Sequence, residues 1–208
     1  HAEIKGRGGM RHNIARVLGA GVLGGWLLVG LVMGLRAPAW AASSLCAAGD
    51  APVVVDSDLS EAQAIFANQP PGTPDEILAS LELVDVRYCG MDGRLHQGQV
   101  VINADLAADV TAVFEVILAT RFPVVSVIPV AHPSMQEKGL YGMFADTDNT
   151  SGYCYRAKVG QTRLSWHALG RALDLNPRQN PYIRGDVVLP PGAVYDPAAP
   201  GTLTPDNP

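Results

Sequence analysis

The chain reads as α+β, a small, mainly antiparallel sheet with helices on one side. Three observations predict it. Two segments of strand character, Leu83 to Cys89 and Gln99 to Asn103, are joined through a turn containing Asp92-Gly93. An amphipathic segment from Ala104 to Thr120 follows directly. A β-branched run, Pro123 to Val130, then reads as a buried strand. Strands packed against helices on one side of a sheet are the α+β arrangement. With 208 residues, 48% hydrophobic and 17% charged, the chain has room for one globular core.

Residues 1–41 stand apart from that core. Met10 has the character of a start, and the nine residues before it read as upstream sequence. A basic stretch with Arg11 and Arg16 leads into an uninterrupted apolar run from Val17 to Leu35, and Ala39-Trp40-Ala41 supplies an A-x-A cleavage site. A run of this length also suffices to span a bilayer, so a retained anchor is the competing reading. Glycines and alanines dilute the run and the cleavage site is well formed, which favours export with cleavage. Leu45 stands where a lipoprotein signal needs a small residue, so Cys46 is not read as a lipidation site. Either way the domain is expected outside the cytoplasm, secreted or in the cell envelope of a bacterium.

Residues 42–82 read as an N-terminal arm of turns and short helices, packed over the core or spacing it from the membrane. Thr73-Pro74-Asp75-Glu76 predicts a helix start, with Thr73 as N-cap, Pro74 in the first turn and Glu76 completing a capping box. That helix is expected to end near Leu81. The main domain, residues 83–208, opens with the hairpin. Asn103 is placed to cap the 104–120 helix. Leu106, Val110, Val113, Phe114, Ile117 and Leu118 fall at helical spacing on it and read as core. Ala131 to Thr147 reads as an active-site loop. His96 and His132 read as structural or surface histidines before they read as metal ligands.

The chemistry concentrates in Ser165-x-His167-x-x-Gly170-x-Ala172-x-Asp174-x-Asn176. Gly170 and the extended-looking residues after it predict loop, turn and strand rather than one helix. Alternation along Arg171–Asn176 then sends Leu173 and Leu175 into a core. Ala172, Asp174 and Asn176 face the other way, into the space that His167 overlooks. An imidazole nitrogen and a carboxylate oxygen converging there are two of the three protein ligands a catalytic zinc needs. Alone, such a pair reads first as a loop histidine and a turn-capping acid.

The flanking residues decide between these. S-W-H-A-L-G-R-A-L-D-L-N-P, with N-P-Y after it, a Y-R before it and D-N-T-S at Asp148 to Ser151, resembles the zinc D-Ala-D-Ala carboxypeptidase and peptidoglycan L,D-endopeptidase family, which has the hedgehog-like peptidase fold. The family signature S-x-H-x-x-G-x-A-x-D is matched at every fixed position, and the wider resemblance runs from about Leu83 to Tyr182. It implies a zinc ion held by His167 and Asp174, in a cleft on the sheet's open face. It implies that Arg156 contacts the substrate carbonyl and the developing oxyanion. Ser151 and Ser165 match hydroxyls that line the site or bind substrate, and both also suit turns. Asn176-Pro177 and Asn180-Pro181-Tyr182 are expected to fix the exit from the ligand strand.

The family also uses a third ligand histidine and a general-base carboxylate in a short acid-x-x-His segment farther on. No histidine follows His167 here. The start at His1 and the Pro/Gly-rich end at Pro208 read as those of a fragment, with the missing pair expected beyond Pro208. The 208 residues by themselves are then expected to bind zinc weakly and to be inactive.

Charge narrows the partners. Five of the 15 basic and one of the 20 acidic residues fall in 1–41, leaving 10 against 19, a net −9. Such a surface is unsuited to nucleic acid or to anionic membrane, leaving an uncleaved leader as the only membrane contact. Three cysteines in an exported domain predict one disulfide and one thiol left over; the pairing among Cys46, Cys89 and Cys154 stays open. Two function classes follow. One is an exported zinc peptidase cutting a peptidoglycan stem-peptide bond, D-Ala-D-Ala or an internal L-Ala-D-Glu type. The other is a non-catalytic wall-binding or structural relative with a degenerate metal site.

Overall fold

The computed structural model describes residues 46, 52–137, 148–158 and 160–207. The expected leader and cleavage site lie outside these, as do residues 138–147 of the expected active-site loop. No helix among the described residues is long and apolar enough to cross a membrane.

The centre is the predicted hairpin. Strands β2 (Leu81–Gly90) and β3 (Leu95–Asn103) pair antiparallel from Leu81 opposite Asn103 to Cys89 opposite Leu95. Gly93, at φ 79°, makes the turn between them in the backbone region that glycine enters without cost. Two short parallel partners complete a four-stranded sheet in the order β1-β3-β2-β4: β1 (Val54–Val55) beside β3, and β4 (Pro123–Val124) beside β2. A disulfide joins Cys46 to Cys89 and ties the N-terminal segment to the hairpin.

After β3 the chain turns through a 3-10 turn, Ala104–Leu106, into α2 (Ala107–Thr120). Asn103 caps this entry as expected, its side chain accepting from the Asp105 N–H. Val110, Phe114 and Ile117 of α2 bury against Val84, Val86 and Tyr88 of β2 and Val100 and Ile102 of β3.

The other face of the sheet is covered too, which corrects the expectation of helices on one side. A π-helical turn, Ala62–Phe66, and the short α1 (Asp75–Leu78) set Ala64, Ile65 and Leu78 against Leu81, Val101 and Tyr153. Val100, Val101 and Ile102 are consecutive and all buried, because the strand is covered on both faces.

Two further expectations change. The capping box at α1 does not form: the Thr73 hydroxyl turns back to donate to the Pro70 carbonyl at 2.8 Å, and Pro74 occupies the cap position without a side-chain bond. The helix stops at Leu78, and Leu81 already belongs to β2. The run Pro123 to Val130 is a strand only at Pro123–Val124. Beyond it, Val127 makes a single bridge to Thr150, and side-chain amides hold the residues around it. Asn176 accepts from the Val125 N–H at 2.9 Å, and Asn149 bonds both backbone groups of Ile128, at 3.0 and 2.8 Å.

A second, two-stranded sheet, β5 (Tyr182–Arg184) with β6 (Val187–Leu189), lies near the end of the described chain. The residues after it return to the main body, where Gly201 and Thr202 are buried.

Candidate active site

The site is assembled along the outer edge of β3. Alternate residues of a strand turn their backbone polar groups to the same edge, and past β1 that edge is free. Three loop segments dock there. The Gln99 N–H donates to the Val127 carbonyl at 3.0 Å, the Tyr153 N–H to the Val101 carbonyl at 2.7 Å, and the Asn103 N–H to the Gly170 carbonyl at 2.8 Å. The last two carry the sequence motif, so the site hangs on the sheet's edge and not over its open face.

His167 begins a 3-10 turn, His167–Leu169, that closes on Gly170. The buried Ser165 accepts the His167 N–H on its Oγ at 3.2 Å and starts the turn. Gly170 ends it at φ 61°, and a β-carbon there would lie 2.7 Å from the Asn103 nitrogen, so glycine is required on both counts. The turn aims the imidazole at the Gly152 carbonyl, 2.6 Å from Nδ1. A carbonyl can only accept, so Nδ1 carries the hydrogen and Nε2 is the outward nitrogen.

Asp174 reaches the same place from the other strand. Ser151 and Asp174 form an antiparallel bridge, exchanging N–H···O bonds of 3.1 and 3.0 Å. Leu173 and Leu175 on either side pack against the α2 core, as the alternation predicts, and Asp174 points away from it. Its Oδ2 lies 3.2 Å from His167 Nε2. Burial pushes the Asp174 carboxyl up, but the hydrogen bond and charge of His167 and the charge of Arg156 outweigh it and hold the group below the ordinary carboxylate range.

The two donors are of the kinds zinc takes, two of the three that a catalytic site needs. With Nδ1 bonded to Gly152, Nε2 is the nitrogen left to meet Asp174 Oδ2, and an imidazole nitrogen and a carboxylate oxygen are both zinc donors. Their 3.2 Å separation is close to the ~3.3 Å edge of a tetrahedron with ~2.0 Å bonds. Among the described residues no group of three or more His, Cys, Asp and Glu converges to hold a metal.

The remaining predicted residues divide. Ser151 acts through its backbone in the Asp174 bridge, and Ser165 through its hydroxyl in the His167 turn. The charge of Arg156 bears on both Asp174 and Cys154. Asn176 does not face the site, which corrects the expected alternation. At φ 42° its side chain turns inward and is fully buried, donating to the carbonyls of Pro123 at 2.9 Å and Gly201 at 3.0 Å. Counting the Val125 N–H, the side chain bonds three backbone groups on two separate segments, which a continued strand would leave unmade. Asn180 donates to the same Gly201 carbonyl at 2.9 Å, so the two asparagines anchor the returning tail.

His132 caps a short helix, α3 (Pro133–Gln136), accepting from the Ser134 N–H. His96 sits between two carboxylates, Asp56 at 2.8 Å and Asp92 at 3.0 Å, and stacks on Tyr88, whose hydroxyl meets Asp56. Neither reaches His167. Cys154 is the free cysteine and is buried; burial pushes its thiol up to about 12 against the opposing charge of Arg156. The sequence reasoning missed Gly152, the acceptor that orients His167. A β-carbon there would meet the Val101 carbonyl at 2.4 Å, and a lone glycine two residues before a buried cysteine carries no signal of that.

A family model described as D-alanyl-D-alanine carboxypeptidase matches residues 159–200. That span includes Ser165, His167, Gly170 and Asp174 and leaves out Ser151 and Arg156. No curated protein and no solved structure matches the chain. The family match supports a peptidase.

Proposed function

We propose that this protein is an exported, zinc-dependent peptidase acting on the stem peptides of peptidoglycan. It cuts either D-Ala-D-Ala as a carboxypeptidase or an internal bond such as L-Ala-D-Glu as an endopeptidase. The observation that carries this reading is the facing of His167 Nε2 and Asp174 Oδ2 at 3.2 Å, with the other imidazole nitrogen already committed to Gly152. The match over residues 159–200 supplies the reaction class, and the leader-like residues 1–41 support export.

His167 and Asp174 would hold the metal. What zinc supplies when bound is Lewis acidity toward a peptide carbonyl and toward water. The rest falls to the chain. The Gly152 carbonyl fixes the imidazole's tautomer and ring orientation, as the outer partner of a ligand histidine does. The Ser151–Asp174 bridge holds the carboxylate on rigid backbone. Arg156 offers a permanently charged donor fork to the substrate carbonyl as it gains negative charge.

The test is zinc content and muropeptide hydrolysis, measured on residues 42–208 and on the product of the complete reading frame. One zinc per chain and a cleaved stem peptide, in at least the latter, is the expected result. Zinc without cleavage points to a wall-binding relative. No zinc in either form sinks the reading.

A further inference from the structure

Between Ser151 and Leu173 the chain carries Arg156, Lys158, Arg163 and Arg171 and no Asp or Glu, within an acid-rich protein. Arg171 is engaged with Asp105 at 3.1 Å. The other three lie on one small hairpin. Ala157 pairs with Leu164 in an antiparallel bridge, and the bonds on either side fix the register. The Ser165 N–H donates to the Arg156 carbonyl at 3.0 Å, and the Lys158 N–H to the Arg163 carbonyl at 2.9 Å. Lys158 therefore stands directly opposite Arg163, and Arg156 opposite Ser165.

Side chains alternate along extended chain, so the pairs flanking Ala157–Leu164 project to one face. That face carries Arg156 and Ser165 at its inner end, beside His167 and Asp174. Lys158 and Arg163 stand one repeat outward, about 7 Å along the strands. Like charges directly opposite one another destabilise a strand pair. Among the described residues neither Lys158 nor Arg163 makes an ion pair. An anion lying across the two reverses the sign of that interaction.

We infer that Lys158 and Arg163 form an anion subsite that takes a free carboxylate of the substrate, about two extended residues from the bond to be cut. Its place as a substrate subsite rests on the peptidase reading; the cation pair itself does not. The substrate class is thereby an acidic peptide, and the two residues act in specificity rather than in bond cleavage.

Lys158→Glu is the informative variant. Opposite Arg163 it replaces a repulsive pair with an attractive one, so the hairpin should fold at least as well while the cation pair is cancelled. Arg163→Gln is the second variant. The probes are the pentapeptide L-Ala-D-Glu-L-Lys-D-Ala-D-Ala and two counterparts, with either the glutamate or the terminal carboxylate as carboxamide. Binding is followed by calorimetry and cleavage by steady-state kinetics. One carboxamide form should bind the parent protein about tenfold more weakly than the acid form. Both variants should lose that preference, through Kd and KM and not through kcat, and added salt should shrink it. An equal effect on acid and carboxamide peptides, or an unchanged preference in both variants, overturns the subsite. Preferential binding without cleavage keeps the subsite and removes the peptidase; cleavage indifferent to the carboxylates does the reverse.

Discussion

The Nδ1–H of His167 donates to the Gly152 carbonyl at 2.6 Å, and this bond makes Nε2 the nitrogen that looks at Asp174. Gly152 belongs to the loop that docks on Val101, and His167 to the turn that docks on Asn103. The imidazole's orientation is therefore set by two separate attachments to the edge of β3.

Metal binding should depend on both members of the facing pair. Asp174→Asn keeps the shape of the side chain and removes the charge that attracts a cation. His167→Ala removes the directed nitrogen. Because loss of an outer partner alone costs about 10–100-fold in metal affinity, each ligand variant should weaken zinc binding at least that much. Chelator should lower the melting temperature of the parent and leave both variants unchanged, since a ligand stabilises only the state that binds it. A chelator effect of equal size in all three proteins would place the metal elsewhere.

Gly170→Ala should disable the site through folding. The new β-carbon would sit at a left-handed φ, 2.6 Å from Leu81 Cδ2 and 2.7 Å from the Asn103 nitrogen; the side chain can shift, but the backbone nitrogen cannot without breaking the strand's edge contact. The expected loss is about 2–4 kcal/mol in urea unfolding. Stability within a few tenths of the parent would show that the turn re-forms without its bond to β3.

Much of this was legible beforehand, and the reasons differ by residue. Local chemistry predicted the hairpin turn at Asp92-Gly93, the Asn103 cap and the outward Asp174 between two core leucines. Each depends on neighbours within a few positions. Asn176 was misread because a strand pattern ran through it, and only the distant Pro123, Val125 and Gly201 backbones turn it inward. For a similar reason the sequence leaves it as one of two alternatives that the arm's short helices cover the sheet's second face. Ile65 and Leu78 sit in segments too short to show a period, although three consecutive buried residues at Val100–Ile102 do mark a strand covered on both faces.

The His96 cluster predicts an acid sensitivity separate from the site. Burial pushes the Asp92 carboxyl up, but the Arg94 N–H, the bond and charge of His96 and the charge of Arg94 together lower it below its ordinary 3.8. A carboxyl lowered in the folded state adds stability at pH above the unfolded value, and that contribution is lost as pH falls through the folded one. Between about pH 6 and about pH 3 the parent should therefore lose more stability than Asp92→Asn, read from urea midpoints. Parallel losses would mean that Asp92 gains nothing on folding. Tyr88→Phe should cost about 1–3 kcal/mol at neutral pH, because it withdraws the hydroxyl that meets Asp56 and accepts the Val127 N–H.

Cys154 predicts the opposite slope at alkaline pH. Its thiol is buried and raised from 9.0 to about 12. In the unfolded chain the thiol ionises first, so the folded state binds the extra proton between those values and stability falls as pH rises through them. Cys154→Ala should flatten part of that fall; Tyr88 and Tyr153, both raised chiefly by burial, should keep the remainder. The same burial makes the thiol unreactive, since the thiolate is the nucleophile. At about pH 8 the folded protein should resist iodoacetamide, while the unfolded chain, its disulfide intact, should take up one label. Rapid labelling of the folded protein would instead make Cys154, which lies beside Arg156, an accessible part of the site.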